Sequence, residues 1–181
     1  MANIQLSSRT DEWYTPPWIV DLVHQVIPVI DLDPASSISA NETVKAKTII
    51  TRELDALSVS WAHLPVSIYL NPPSGRTGNK SNVKLFWDKL MTFRDSGLLK
   101  HAIFMGFSLE HLQMTQGGKG KLSICDFPIV IPSKRTKFMS PNGQCNLPTH
   151  SYVIAYIPGL TNNTSLFKEV FSEIGAIMYP G

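Results

Sequence analysis

The stretch Val66-Ser67-Ile68-Tyr69-Leu70-Asn71-Pro72-Pro73-Ser74 reads as a buried strand that ends in a rigid polar turn. Five residues rich in β-branched and aromatic side chains fit a strand covered on both faces, and Asn71 with two prolines stops it. Each proline lacks an N–H and holds φ near −65°, so the turn cannot wind into a helix and its carbonyls stay pointed outward. The Asn71 side-chain oxygen and the Pro72 carbonyl then form a pair of acceptors, with Pro73 and Ser74 completing the turn. Rigid turns at the carboxyl ends of strands are where open α/β sheets carry their ligands.

Working outward, helices and strands alternate on both sides of this turn. Thr15-Pro16-Pro17 reads as a helix start, with a threonine cap and proline in the first turn, and Trp18, Ile19, Leu22, Val23, Val26 and Ile27 repeat at helical spacing before Pro28. Val29-Ile30-Asp31-Leu32-Asp33 reads as a short strand ending in acids, followed by the turn-forming Pro34-Ala35-Ser36-Ser37, and residues 48–51 read as a weak second strand. An amphipathic helix over 83–94 carries Phe86, Trp87, Leu90, Met91 and Phe93, and residues 101–105 read as a fourth strand. A loop without periodicity is expected around Gly117. Strands over 124–131 and 151–157, separated by a polar turn at Asn142, and a helix over 166–174 complete the chain. The pattern predicts an α/β fold, mainly parallel, with an antiparallel C-terminal hairpin.

Composition narrows the function classes. The chain has 181 residues, 43% of them hydrophobic and 17% charged, which suits one domain over 1–181 with no separate target-recognition domain. A formal net charge of +2 does not by itself call for a nucleic-acid partner. Cys125 and Cys145 form neither a zinc spacing nor a disulfide framework, and the five histidines show no paired metal spacing, so no metal site is expected. No apolar run reaches the ~20 residues of a membrane span. A cytoplasmic protein with reduced thiols is the expectation.

Two acceptors held side by side suit a planar exocyclic amine: they hold both N–H groups and favour the lone pair needed to attack an electrophilic methyl group. The segments Trp13-Tyr14-Thr15-Pro16-Pro17, Asp31-Leu32-Asp33-Pro34-Ala35-Ser36, Asp55-Ala56-Leu57, Asn71-Pro72-Pro73-Ser74 and Arg135-Thr136-Lys137-Phe138 stand in this order along the chain. Together they resemble the phage and prophage DNA N-6-adenine methyltransferase family, often called Dam-like, over about residues 11–157. The resemblance implies a Rossmann-like S-adenosylmethionine-dependent methyltransferase fold, S-adenosylmethionine as cofactor, adenine in DNA as substrate and a phage-encoded protein in a bacterial host cell. It also implies that Trp13, Thr15 and Pro16 pack around the methionine part of the cofactor and that Asp33 faces its ammonium group. In the same reading Asp31, Ala35 and Ser36 also bind the cofactor, Asp55 holds the cofactor adenine amine, and Ala56 and Leu57 line its ring. A carboxylate at a strand's carboxyl end suits a cationic ligand, although Asp31 and Asp33 also read as turn and cap residues, and Asp55 alone reads as a surface residue.

The chain departs from the family in one respect. Members follow the two prolines with an aromatic residue that stacks on the flipped base, whereas this chain has Ser74 and then Gly75-Arg76-Thr77-Gly78-Asn79-Lys80-Ser81. Phe107, Trp87 or Tyr69 supplies the ring from elsewhere, the Arg76 guanidinium stacks in its place, or the substrate is held differently. Arg76, Lys80 and Lys84 form one basic group and Lys119, Lys121, Lys134, Arg135 and Lys137 another, each suited to tracking phosphates. The alternatives are an amino methyltransferase acting on RNA or on a protein amide, and a weak or inactive methyltransferase-fold module that only binds nucleic acid.

Overall fold

The computed structural model describes residues 13–117, 120–140, 145–146 and 151–180, and gives 107–110, 145 and 146 as backbone alone. Eleven strands and five α-helices occur within these residues. In chain order they are α1 (Pro17–Val26), β1 (Leu32–Asp33), α2 (Ile38–Val44), β2 (Thr48–Ile49), β3 (Val66–Leu70), β4 (Arg76–Thr77), β5 (Lys80–Ser81), α3 (Asn82–Asp95), β6 (Leu99–Phe107), α4 (Ser108–Met114), β7 (Ile129–Pro132), β8 (Phe138–Met139), β9 (Cys145–Asn146), β10 (Tyr152–Pro158), α5 (Thr164–Phe171) and β11 (Gly175–Met178).

Seven strands form the central sheet in the order β2-β1-β3-β6-β10-β7-β11. The first four are mutually parallel, and β10 enters antiparallel between β6 and β7. This is the Rossmann-like α/β arrangement expected from the sequence, a parallel core closed by a reversed C-terminal pair. The central sheet has one strand more than expected, β11, which pairs antiparallel with β7, and the short pairs β4-β5 and β8-β9 are not expected from the sequence either. Expected helix 166–174 stops at Phe171, and the chain turns straight into that edge strand.

Side-chain alternation decides which layer each residue joins. In β3 Ile68 and Leu70 face α3, while Tyr69 faces α1 and α5, and β6 and β10 follow the same rule. Trp87 of α3 is fully buried, edge-on to Phe104 at 5.2 Å and Phe127 at 5.8 Å, with its indole N–H donating to the Leu122 carbonyl at 3.0 Å. On the other face Asn163 donates from Nδ2 to the Val26 carbonyl at 2.9 Å and ties α5 to the end of α1.

Local chemistry explains the remaining differences. Helix α1 is capped by Pro16, not Thr15, whose hydroxyl is committed elsewhere. The short α2 is held by the Ser37 hydroxyl accepting from the Ala40 N–H, and ends at Lys45 in the left-handed region at φ 55°. Residues 124–126 form a single 3₁₀ turn because Ser123 and Asp126 cap it reciprocally, so the strand expected over 124–131 begins only at Ile129. Gly118, Lys119 and the turn at Asn142 lie outside the described residues. Among the described residues no helix is long and apolar enough to cross a membrane.

Truncating the indole at the centre of the α3 layer removes three aromatic or hydrogen-bonded contacts at once. Trp87→Ala is expected to lower the unfolding free energy by about 3–5 kcal/mol, measured by urea denaturation followed by far-ultraviolet circular dichroism.

Candidate functional site

Asn71 stands at the carboxyl end of β3, an inner strand of the parallel core flanked by β1 and β6, where the buried Pro72 prevents the backbone from continuing the sheet. Its Nδ2 donates to the Trp13 carbonyl at 3.1 Å and to the Thr15 Oγ1 at 3.3 Å. A carbonyl only accepts, so the amide nitrogen must face the 13–15 segment, and the orientation of the group is fixed. Its Oδ1 is buried and accepts no hydrogen bond from any of the described residues. An orphaned buried acceptor costs roughly 1–3 kcal/mol, and a ligand that brings an N–H to it recovers that cost.

Behind Asn71 the hydrogen bonds converge on a sulfur that only accepts. Thr15 Oγ1 meets Tyr69 Oη at 2.5 Å, and both hydroxyls reach the Met105 sulfur, Thr15 at 3.6 Å and Tyr69 at 3.0 Å. The thioether has no proton to give, so one hydroxyl donates to the sulfur and the other to its neighbour, and Thr15 accepts from Asn71 in either arrangement. Thr15 and Tyr69 are both buried, and burial pushes the Tyr69 phenol far above its ordinary range. The entry segment is pinned from its other edge as well, since Tyr14 and Met139 of β8 exchange backbone hydrogen bonds at 2.8 and 3.2 Å.

Asp33 lies at the adjacent strand end. Leu32 pairs with Ile68, which sets Asp33 beside Tyr69, and its charge acts on the Tyr69 phenol. The carboxyl group is 2% exposed and pairs with no cation among the described residues. Burial pushes its pKa up to about 6, against the opposing pull of the Ala35 N–H at 3.1 Å and the Ser36 hydroxyl. Ser36 donates its own N–H to the Ile50 carbonyl, joining this loop to the one that follows β2.

That second loop carries Asp55, which is exposed with a left-handed φ of 49° and accepts from the Leu57 N–H and the Ser58 hydroxyl. The Ser58 hydrogen bond, followed by that of Leu57, lowers its pKa. Lys89 of α3 holds the loop by donating to the carbonyls of Ala56, Leu57 and Val59 at 2.6, 3.1 and 2.6 Å. Trp13, Thr15, Pro16, Asp33, Ala35, Ser36, Asp55, Ala56 and Leu57 therefore come from segments that meet at the carboxyl ends of β1, β2 and β3.

Asp31 does not join them. It sits at the amino end of β1, opposite Ser67, four residues before Asn71 on the neighbouring strand and so about 13 Å away along it. Lys47 at 3.0 Å, Lys100 at 3.1 Å and the Ser67 N–H at 3.0 Å hold its carboxylate, bringing the pKa down to about 2 despite desolvation. A cavity of about 330 Å³ surrounds this cluster, away from the Asn71 turn.

The expected aromatic partners are also corrected. Trp87 is core and Tyr69 is spent in the relay, so neither ring reaches a substrate. Phe107 ends β6, and its side chain lies outside the described residues. The Arg76 guanidinium bonds the Asn79 carbonyl within the β4-β5 hairpin, Lys80 is exposed beside it, and Lys84 pairs with Asp88. Asn82 clamps the turn itself, donating to the carbonyls of Ser74 at 3.0 Å and Gly75 at 3.1 Å. Arg135 is exposed between Lys134 and Lys137, close in sequence to the strand that pins Tyr14. The positioning roles of Thr15 and Tyr69 carried no pattern in the sequence, because they arise from three segments meeting.

No family model and no curated protein matches the chain. Among solved structures, a crystal structure of the 23S rRNA methyltransferase ErmE aligns at 10% identity and a TM-score of 0.44, covering 86% of this chain and 74% of that one. The DNA-adenine family of the resemblance thus rests on its motifs.

The two aspartates should respond oppositely to pH. A raised folded pKa makes ionised Asp33 a burden above about pH 6 that disappears once both states are protonated below about pH 4. Asp33→Asn is therefore expected to stabilise the ligand-free protein at pH 7 by on the order of 2–3 kcal/mol, with no gain near pH 4. Asp31 has a lowered pKa, so Asp31→Asn should destabilise at neutral pH, with the difference fading as pH falls from 4 toward 2. Denaturant midpoints across this range measure both.

Proposed function

We propose that this protein transfers a methyl group from S-adenosylmethionine to the exocyclic amine of adenine in DNA. The observation that carries the reading is the Asn71 oxygen, buried, unpartnered among the described residues and locked in orientation at the end of an inner parallel strand. Such an acceptor is complementary to an N–H donor, and the Pro72 carbonyl beside it takes the second N–H of the same amine.

The residues at the neighbouring strand ends fit the cofactor. Asp33 is a buried carboxylate without a cationic partner among the described residues, so an ammonium group relieves it. Asp55 presents carboxylate oxygens to solvent from the next loop and suits an amine at the far end of an elongated ligand. When bound, S-adenosylmethionine supplies a methyl group attached to a sulfonium, a good leaving group. Asn71 and Pro72 would hold the amine so that its lone pair is directed away from both acceptors; as the N–C bond formed, the bond from the methyl carbon to sulfur would break, and the acidic N-methylated amine would then lose its surplus proton to water. No base of shifted pKa is needed before attack, and rate comes from positioning and electrostatics. An adenine in a duplex must leave the stack to reach a buried acceptor. Adenine in RNA offers the same amine, so the substrate class is separated by assay.

Transfer of labelled methyl to single-stranded DNA, duplex DNA and RNA of the same sequence, with mass spectrometry of the digested nucleosides, tests the reading. Label in N-6-methyladenine of DNA is the expected result, whereas label in RNA alone reassigns the substrate and no label with any nucleic acid overturns the proposal. Asn71→Ala is expected to reduce turnover at least about 100-fold. Thr15→Val keeps the shape but breaks the relay, and should slow kcat roughly 10- to 100-fold with a smaller change in KM. Cofactor affinity is expected to fall as pH drops through about 6, where Asp33 takes up a proton, and to lose that dependence in Asp33→Asn.

A further inference from the structure

A cleft of about 460 Å³ opens between the first turn of α1 and the run 132–137 that follows β7. Trp18 forms one wall and is 43% exposed, a large aromatic face left to solvent. Lys134, Arg135 and Lys137 line the same cleft, all exposed, and none of them makes an ion pair among the described residues. Glu173 is the acid in the lining, with Ile174 beside it. Three cations sharing a cleft with one exposed indole supply the chemistry that a nucleic-acid strand requires: a π-face for a base and positive charge for the phosphates on either side.

The cleft is built into the candidate site at two points. Trp18 stands in the first turn of α1, three residues after Thr15, whose hydroxyl accepts from Asn71. Lys137 lies two residues before Met139, which is bridged to Tyr14. Three residues of chain reach at most about 11 Å, which keeps Trp18 within the span of a few nucleotides of strand from a side chain in contact with Asn71. The volume accommodates one nucleotide rather than a folded partner.

We infer that this cleft binds a nucleotide flanking the target in the substrate DNA strand, with Trp18 stacking on its base and Lys134, Arg135 and Lys137 contacting its phosphates. The inference rests on the nucleic-acid substrate proposed above, and it assigns strand binding to a place separate from the catalytic turn. It also gives the strand an aromatic platform in a chain that has Ser74 after its two prolines. That platform sits under a neighbouring base, not the reacting one.

Fluorescence anisotropy of a labelled adenine-containing single-stranded DNA, titrated with the full chain across a salt series, tests the inference. Trp18→Ala should weaken binding roughly 5- to 100-fold, while Trp18→Phe, which keeps a ring, should recover most of it. Arg135→Ala and Lys137→Ala should each flatten the dependence of log K on log salt by about one unit or less. Asn71→Ala should change strand affinity by less than these variants while abolishing methyl transfer. Thermal melting of Trp18→Ala, at an exposed position, checks that the fold is retained. If the wild type methylates DNA and the Trp18 and Arg135 variants bind and react as it does, the cleft is overturned and the proposed activity stands. If no methyl is transferred but Trp18→Ala still weakens DNA binding, the cleft stands and the activity falls. Wild-type protein with no affinity for DNA overturns the cleft.

Discussion

Methionine sulfur can accept a hydrogen bond but has none to give, and at Met105 this makes a sink for the hydroxyl protons stacked upon it. The Thr15 and Tyr69 hydroxyls meet each other and both reach the sulfur, so the Thr15 proton is spent inward and its oxygen meets Asn71 as an acceptor. The carbonyl of Trp13 fixes the amide from the entry segment, turning its nitrogen inward. Two strands and the segment leading into α1 are thereby joined by one hydrogen-bonded cluster, and the amide oxygen left over is the feature from which a chemical role follows. A reversed amide would set its oxygen against the Trp13 carbonyl and forfeit that bond, so the orientation needs no ligand to maintain it.

Charge is distributed along the short β1 with the same economy. Asp31 and Asp33 are two residues apart yet meet opposite fates: one is neutralised by Lys47 and Lys100 at the amino edge, the other is buried at the carboxyl edge with no cation beside it among the described residues. The first anchors the sheet, while the second stores unfavourable energy that a cation brought beside it would release. Groups held against their solvation preference at strand ends are characteristic of sites and uncommon in scaffolds.

The sequence was legible where one physical signal dominated. Strand β3 has the limits its apolar run and the two prolines dictate, and α3 extends one residue beyond its amphipathic span at each end. Helix α2 gave no periodic signal because Val44 is its one buried residue, and its stability comes from Ser37 and from the Asn41 side chain bonded twice to Ala46. Strand β11 alternates half-buried and exposed at a sheet edge, a pattern that becomes a strand only once β7 is beside it. The roles of Asp31 and Asp33 depend on register against β3, which two residues of strand cannot declare by themselves. Thr15 looked like a helix cap because the local rule for Thr-Pro-Pro is sound; a tertiary partner outbid it.

The bridge between Tyr14 and Met139 joins positions separated by most of the chain, and it braces the segment whose carbonyl orients Asn71. Contacts of such sequence separation are the slow ones to form, since the intervening loop must be closed before they return any energy. During synthesis the parallel strands up to β6 can therefore assemble while the segment that orients the amide remains unbraced, and a ribosome-bound chain short of residue 139 holds a sheet whose Asn71 turn is incompletely supported. The last brace on that turn arrives late, with the β8 segment.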